Sequence, residues 1–334
     1  FPALKTIESF TLPGDRNPFS PVMEDHQRCV GGNGKIMSYV ARYFRYPISF
    51  EAVVRVSQIS QAEALRHGIE HWRRHRGRCM GSVYWQLNDN WPVASWSSID
   101  YYGRWKSMHY QARRSYAPAL ISTLVPDPAE EAASKIPTTA TIIGNGHFQA
   151  RPARVEIWLS NEGRKALRGD LRWQLLGLDG CVFRKGRVEL AAGAFESIQQ
   201  TCLDFCDIVH GPEQPRHCLF SWSARLSDGQ ELYGFQNFVP YKMLELKKVS
   251  VLATVVVTED GHLEIEVQSA LPALFVSIEH AELDLVLSDN HFHMDGHFHR
   301  RLRVESCCHA GTEIPVEADK LADGLVVWSL VDSY

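Results

Sequence analysis

Between Gly81 and Lys106 the chain concentrates side chains that could handle a sugar. Trp85, Trp91, Trp96 and Trp105, four of its nine tryptophans, stand there with Tyr84, Tyr101 and Tyr102. Among them lie Gln86, Asn88, Asp89, Asn90, Asp100, Arg104 and a turn-forming Trp91-Pro92. A sugar ring stacks its axial C–H patches on flat apolar faces and needs bidentate partners for its hydroxyls. The same residues also suit an aromatic core strand followed by a polar turn. Composition leaves both readings open.

The elements that must position this stretch change character near Pro118. Before it the spacing is helical. Ala3 to Phe10 reads as a helical stretch, and Asn33 to Tyr46 as a helix stopped by Pro47. Ser49 to Arg76 carries Ala52, Val53, Val56, Ile59, Ala62, Leu65, Ile69 and Trp72 at three- and four-residue intervals, as a longer helix does. The basic run Arg73 to Arg78 suits the C-terminal end of that helix better than a nucleic-acid patch. A strand from Met80 to Leu87 is expected next, then the aromatic loop and a helix from about Gly103 to Tyr116, a pattern that fits an α/β layer.

After Pro118 helical periodicity nearly vanishes. Val125 to Pro137 reads as an insertion rich in Pro, Ala and acidic residues. Short alternating runs follow: Arg154 to Leu159, Leu171 to Leu176, Leu178 to Cys181, and Leu219 to Ala224. A second set comprises Ala253 to Val257, Leu263 to Val267, Phe275 to Ile278, Glu282 to Leu287 and Gly324 to Leu330, with a turn signal at Glu259 to Gly261. Each set has the spacing of a β-sandwich of roughly 100 residues. Their junction is expected at Leu244 to Lys248, which divides the chain into 1–118, 119–246 and 247–334.

At 334 residues the chain is long enough for two or three domains. Hydrophobic residues at 45%, charged residues at 22% and a net charge of -4 are those of an ordinary soluble protein, with no general attraction to nucleic acid or membrane. No apolar run approaches the roughly 18 residues that span a bilayer. The eight cysteines are scattered, which favours reduced thiols and a cytoplasmic location.

Two tempting sites fail on spacing. Gly31 to Lys35 is not a P-loop, because Cys29 stands where its first glycine belongs and Ile36 where Ser or Thr belongs. His291, His293, His297 and His299 invite a metal. With Asp295-Gly296 as a two-residue hairpin turn, alternation puts the first two on one face and the last two on the other. No metal and no cofactor is expected.

Tyr84-Trp-Gln-Leu-Asn-Asp, continued by Asp100-Tyr-Tyr-Gly-Arg-Trp-Lys106 and His109-Tyr-Gln-Ala-Arg113, closely resembles the β-mannosidases of glycoside hydrolase family two. Phe1-Pro2, His26-Gln27 with Gly31-Gly-Asn33, Ser57-Gln58 with Gln61-Ala62, and Leu287-Ser-Asp-Asn-His-Phe292 extend the likeness over almost the whole chain. The resemblance implies the C-terminal part of a (β/α)8 barrel followed by two immunoglobulin-like β-sandwiches. Barrel sites lie at the C-terminal ends of the strands. Met80 to Leu87 would then be strand eight, with Trp85 flooring the sugar subsite, Asn88 and Asp89 bonding hydroxyls or bracing that floor, and Trp91 flanking it. His26 and Gln27, on the loop after strand seven, become substrate-contact candidates, with loop structuring as the alternative. Trp96 and Trp105 are expected to pack behind.

Retaining glycoside hydrolysis needs two carboxyl groups about 5 Å apart. The resemblance places both before Phe1, and neither Glu8 nor Glu24 has the context of a strand end. The chain is thus expected to lack catalytic residues of its own and to work with the upstream part of the same enzyme on a β-mannoside or manno-oligosaccharide. The competing function is a non-catalytic carbohydrate-binding or interaction module built on the two sandwiches. In that case Trp158, Trp173, Trp222 and Trp328 would have to face solvent rather than the core.

Overall fold

Helical spacing in the first third of the chain becomes five helices: α1 (Leu4–Glu8), α2 (Pro21–Asp25), α3 (Gly32–Tyr43), α4 (Phe50–Arg74) and α5 (Ser107–Ser115). The computed structural model describes residues 1–126, 152–309 and 311–334. From residue 127 onward, the expected insertion at Val125 to Pro137 lies outside the described residues.

Each helix is bounded as its local chemistry dictates. Ser20 accepts a hydrogen bond from the Met23 amide to start α2, with Pro21 at the first position, where no amide is needed. Ser49 caps α4 by accepting from the Ala52 amide at 3.1 Å. Ala52, Val53, Val56, Ile59, Ala62 and Ile69 form its buried stripe. At the other end of the helical segment, the Arg73 guanidinium donates to the Ser115 and Ala117 carbonyls, both at 2.7 Å, and closes α5.

Two compact units result. One holds residues 1–73, 77–117 and 246–334; the other holds 74–76 and 118–245. The second unit is an antiparallel sandwich with strands β1 (Ala119–Leu124), β2 (Arg154–Asn161), β3 (Leu167–Gly177), β4 (Val182–Ala192), β5 (Ser197–Asp204), β6 (Cys218–Leu226) and β7 (Glu231–Asn237). Its sheets run β1-β2-β5 and β4-β3-β6-β7. The period of two is plain in β2, where Val155, Ile157 and Leu159 are fully buried. Each such side chain contributes about 1.5–3 kcal/mol of hydrophobic stabilisation. Trp222 is buried in this core and Trp173 packs against it.

In the first unit the helices are joined by a second sandwich: β8 (Val251–Val257), β9 (Leu263–Ser269), β10 (Ala273–His280), β11 (Asp284–Leu287), β12 (Phe292–Met294), β13 (Arg300–His309), β14 (Thr312–Glu313), helix α6 (Ala318–Asp323) and β15 (Leu325–Trp328). Its sheets run β12-β10-β15 and β11-β13-β9-β8, with β14 beside β13. Gly261, at φ +83°, makes the tight turn between β8 and β9 that a side chain would strain. Among the described residues no helix is long and apolar enough to cross a membrane.

Three sequence expectations need correction. Met80 to Leu87 is not a strand: among the described residues no neighbouring chain completes a ladder with 80–85, and only an isolated bridge joins Asn88 to Ile99. Leu178 to Cys181 is the turn between β3 and β4, tightened by the Gly180 amide on the Gly177 carbonyl. The histidine segment is not a hairpin. β12 pairs with β10, whereas β13 pairs with β9 and β11, so residues 295–299 cross between sheets.

Candidate functional site

The aromatic segment is shaped by two buried carboxylates. Asp89, 7% exposed, accepts from the Ser95 hydroxyl at 2.7 Å, from the Ser97 hydroxyl, and from the Gln86 amide at 3.3 Å. Asp100, 1% exposed, accepts from the amides of Tyr102 and Arg104, both at 3.0 Å, from the Ala3 amide at 3.3 Å and from the Thr6 hydroxyl. Carboxylates with three and four donors act as braces, because both oxygens of each are already engaged. Within the segment neither acid faces solvent as a free acid or base.

These braces hold a small backbone frame. The Ser98 amide donates to the Gln86 and Leu87 carbonyls at 3.0 and 3.1 Å, the Ile99 amide to Leu87 at 2.8 Å, and the Lys106 amide to Ser98 at 3.0 Å. Trp85 projects from this frame 74% exposed, and Val83 and Leu87, two residues to either side, are exposed as well. The Trp85–Gln86 peptide bond is cis. Asn88 is also exposed, with its carbonyl accepting from the Gln86 amide at 3.0 Å.

Trp91 and His26 meet. The His26 ring lies flat on Phe10, with centroids 3.8 Å apart and 4° between planes, and stacks on Trp91 at 4.9 Å. Its Nδ1 donates to the Pro92 carbonyl at 2.6 Å, so that nitrogen carries the proton. The Arg28 guanidinium sits 4.3 Å from the Trp91 ring. Gln27 turns inward instead: its amide donates to Asn33 at 3.0 Å and its carbonyl accepts from the Cys29 amide at 3.0 Å. It lies so close over Gly32 that a Cβ there would come within 2.5 Å of it. Gln27 therefore shapes its loop.

Trp105 packs edge-on to His109 and Tyr110, at 4.3 and 5.1 Å, as expected of a supporting residue. Trp96 differs from expectation and is 52% exposed. The Ser98 hydroxyl lies 2.9 Å from the Tyr84 hydroxyl and 3.0 Å from His109 Nδ1, with burial first and Arg113 second holding His109 below its ordinary value. Lys106 is fully buried, its Nζ without a hydrogen-bond partner among the described residues. Burial lowers its ammonium to about 8 against the pull of Asp89 and Asp100. Sequence reasoning missed Phe10, Arg28, Ser95 and Ser97. Only the serines left a signal, being two residues apart and hence on one side of an extended chain.

The arrangement offers exposed indole and amide groups on a frame fixed by buried acids. It suits binding a flat-faced polar ligand. No group of three or more His, Cys, Asp or Glu among the described residues could hold a metal ion.

Comparison with known proteins gives these features a context. The mannosidase Ig/CBM-like domain matches residues 153–242, and the Ig-fold domain of the Ig_mannosidase family matches residues 246–333. A β-mannosidase of Capra hircus is 34% identical over 133 residues, which are 36% of this chain and 15% of that protein. β-Mannosidase B of Aspergillus terreus is 29% identical over 183 residues, 54% of this chain and 20% of its relative. The chain thus aligns with a fifth or less of these curated relatives. Among solved structures, the β-D-mannosidase of Dictyoglomus thermophilum shares the fold over 98% of this chain and 36% of its own, with a TM-score of 0.80 and 23% identity. The exo-chitosanase of Amycolatopsis orientalis follows with a TM-score of 0.65 and 16% identity, over 99% of this chain and 40% of its own.

Proposed function

We propose that the chain belongs with the β-mannosidases of glycoside hydrolase family two and forms part of a retaining exo-β-mannosidase removing terminal non-reducing β-D-mannose. Residues 1–118 would supply the end of a (β/α)8 barrel, and 119–246 and 247–334 its two immunoglobulin-like sandwiches. Such a barrel carries its site at the C-terminal mouth, where Trp85 and Asn88 would lie.

In this site Trp85 floors the sugar, Asn88 bonds a hydroxyl and Trp91 flanks the ring. Asp89 and Gln27 brace the loops, and His26 holds Trp91. The two carboxyl groups of retaining hydrolysis, about 5 Å apart, would come from polypeptide outside these 334 residues. The eight cysteines are all free, which supports a reducing, cytoplasmic setting. The match of two successive mannosidase-type domains, in a chain that also carries an exposed Trp85, is the observation that carries the proposal.

The competing module reading draws on the Ig/CBM-like description of residues 153–242. Against it, Trp222 and Trp328 are buried and Trp173 packs on the core, which leaves only the half-buried Trp158, its Nε1 donating to Glu156 at 2.8 Å, as a flat face among the four. The test is hydrolysis of an aryl β-mannoside. The full-length gene product is expected to turn it over and the 334-residue chain alone is not; turnover by the chain alone would overturn the division of labour. No turnover by the full-length product would overturn the function.

A further inference from the structure

The helical segment and the last sandwich of the first unit meet through ion pairs in which the helical segment supplies the cation and the sandwich the anion: Arg55 with Glu279 at 2.9 Å, Arg104 and Lys5 with Asp284 at 2.9 and 3.4 Å, Arg113 with Glu305 at 2.9 Å, and Arg114 with Asp289. Partly exposed pairs of this kind contribute little energy. What a forked guanidinium on a carboxylate supplies is register, because its geometry tolerates few alternatives.

One of these contacts reaches the aromatic segment. Asp284 is the first residue of β11, paired in register with Cys308 of β13, and so stands on a rigid edge. Its Oδ1 accepts from Arg104 Nε at 2.9 Å, and Lys5 donates to the same oxygen and to the carbonyls of His280 and Leu283. Arg104 Nη1 donates to the Thr6 hydroxyl at 2.8 Å, and that hydroxyl donates to Asp100. Asp100 in turn gathers the amides of Tyr102 and Arg104 and terminates the turn whose other strand, Ser98 and Ile99, bonds the carbonyls of Gln86 and Leu87. A series of hydrogen bonds, continued through the backbone from Asp100 to Ile99 and Ser98, therefore runs from the last sandwich to the residues that follow Trp85.

From this series we infer that Asp284 is a positioning residue, through which the last sandwich sets the placement of the Trp85 segment by clamping Arg104. The consequence for sugar binding rests on the proposed β-mannoside site; the mechanical link does not. Glu305 is the built-in control. It joins the same two parts through Arg113 on α5, with bonds of 2.9 and 3.0 Å, and has no hydrogen bond to the aromatic segment.

Hydrogen exchange of the Ser98, Ile99, Asp100 and Lys106 amides in the intact chain tests the link without any ligand. Asp284→Asn is expected to accelerate exchange at these amides at least tenfold, and Glu305→Gln to leave them within twofold. Asp284→Glu, which keeps a carboxylate for Arg104, is expected to stay within threefold of the parent. Should Asp284→Asn fail to fold, Arg104→Lys, which keeps the charge and loses the fork, is expected to give the same acceleration. Unchanged exchange in the Asp284 and Arg104 variants, or equal acceleration by Glu305→Gln, overturns the inference. In the full-length product, Asp284→Asn is then expected to lower kcat/KM for an aryl β-mannoside at least fivefold and Glu305→Gln less than twofold. An inactive parent enzyme would remove the proposed function and leave the exchange result to decide the positioning role.

Discussion

The His26 imidazole and the Trp91 indole stack with centroids 4.9 Å apart and 26° between planes. His26 is pinned from behind by Phe10 and at its edge by the Pro92 carbonyl, and its own carbonyl accepts from the Ala94 amide at 2.9 Å. One residue from the 26–33 loop thus holds residues 91–94 by ring, side chain and backbone. Two substitutions separate these contributions. His26→Phe keeps the stack and loses the bond to Pro92, at a cost of about 1 kcal/mol; His26→Ala loses both, about 1–3 kcal/mol. Denaturant titration should rank them in that order. Equal costs would mean that stacking contributes nothing.

Trp85 has the opposite character, exposed and without packing to lose. Trp85→Ala is expected to leave the melting temperature of the chain within about 2 °C, in keeping with an exposed substitution. In the full-length product it is expected to cut turnover of an aryl β-mannoside at least tenfold. A smaller loss would take Trp85 out of the site.

Asp89 should be needed for shape. Asp89→Asn preserves volume but turns an acceptor of the Ser95 and Ser97 hydroxyls into a donor, leaving buried groups mismatched. A loss of about 1–3 kcal/mol in stability is expected. Ser97→Ala, which removes one bond and creates no clash of donors, should cost less. A neutral Asp89→Asn would reassign Asp89 from brace to substrate contact.

Across the larger sheet of the second unit, Gly186, Trp173, Trp222 and Gly234 face one another in a single row over β4, β3, β6 and β7. Each indole lies over the neighbouring glycine, and a Cβ would come within 2.5 Å of Trp173 at Gly186 and 2.3 Å of Trp222 at Gly234. Neither glycine is there for its backbone freedom. Gly186→Ala and Gly234→Ala are each expected to destabilise this unit by about 1–3 kcal/mol through overpacking. Gly14→Ala, with nothing within 4 Å, is the neutral control. Intrinsic fluorescence during urea unfolding would report both; an unchanged midpoint would refute the close packing.

Some of this was open to a reader of the sequence, for physical reasons that can be named. The α4 stripe repeats Val53, Val56 and Ile59 at helical spacing, and Val155, Ile157 and Leu159 alternate as a half-buried strand must. β5 escaped because its burial follows no period of two, and β4 because its first half is polar or exposed, although Val188, Leu190 and Ala192 alternate inward at its end. Met80 to Leu87 alternates correctly, yet a strand is a relation between two chains and no single sequence run contains its partner. The braces were hidden for a related reason. Asp89 reads as a loop acid until Ser95 and Ser97 fold back on it. Arg104 and Asp284 are 180 positions apart, with nothing local to either that announces the other.

Acid should loosen the last sandwich through His291 and His293 before Glu63 contributes. Burial holds His291 at about 4 and His293 at about 3, well below the ordinary 6.5. His293 Nδ1 accepts from the Phe275 amide of β10, and the ring faces Glu63 and Arg66 of α4, Arg114 of α5 and Arg300 of β13. His291, at φ +53°, faces Arg55 of α4, Glu279 of β10, Arg114 of α5 and Asp289. Both rings are therefore neutral in the folded protein at pH 5, where the unfolded chain has already protonated them. Stability contributed above pH 6.5 is lost progressively as pH falls toward 4. Glu63 acts in a separate window. Burial would raise its carboxyl, but Arg66 outweighs this and holds it at about 2, so its contribution is lost only as pH falls from 4.5 toward 2. Between pH 7 and pH 5 the histidines thus act without Glu63. The melting temperature of the first unit is expected to fall by about 5 °C or more over that interval, at about 2–4 °C per kcal/mol. The double variant His291→Asn, His293→Asn keeps an acceptor for the Phe275 amide and a residue that tolerates positive φ. It is expected to halve the fall. An equal fall in parent and variant would show that the acid response lies elsewhere.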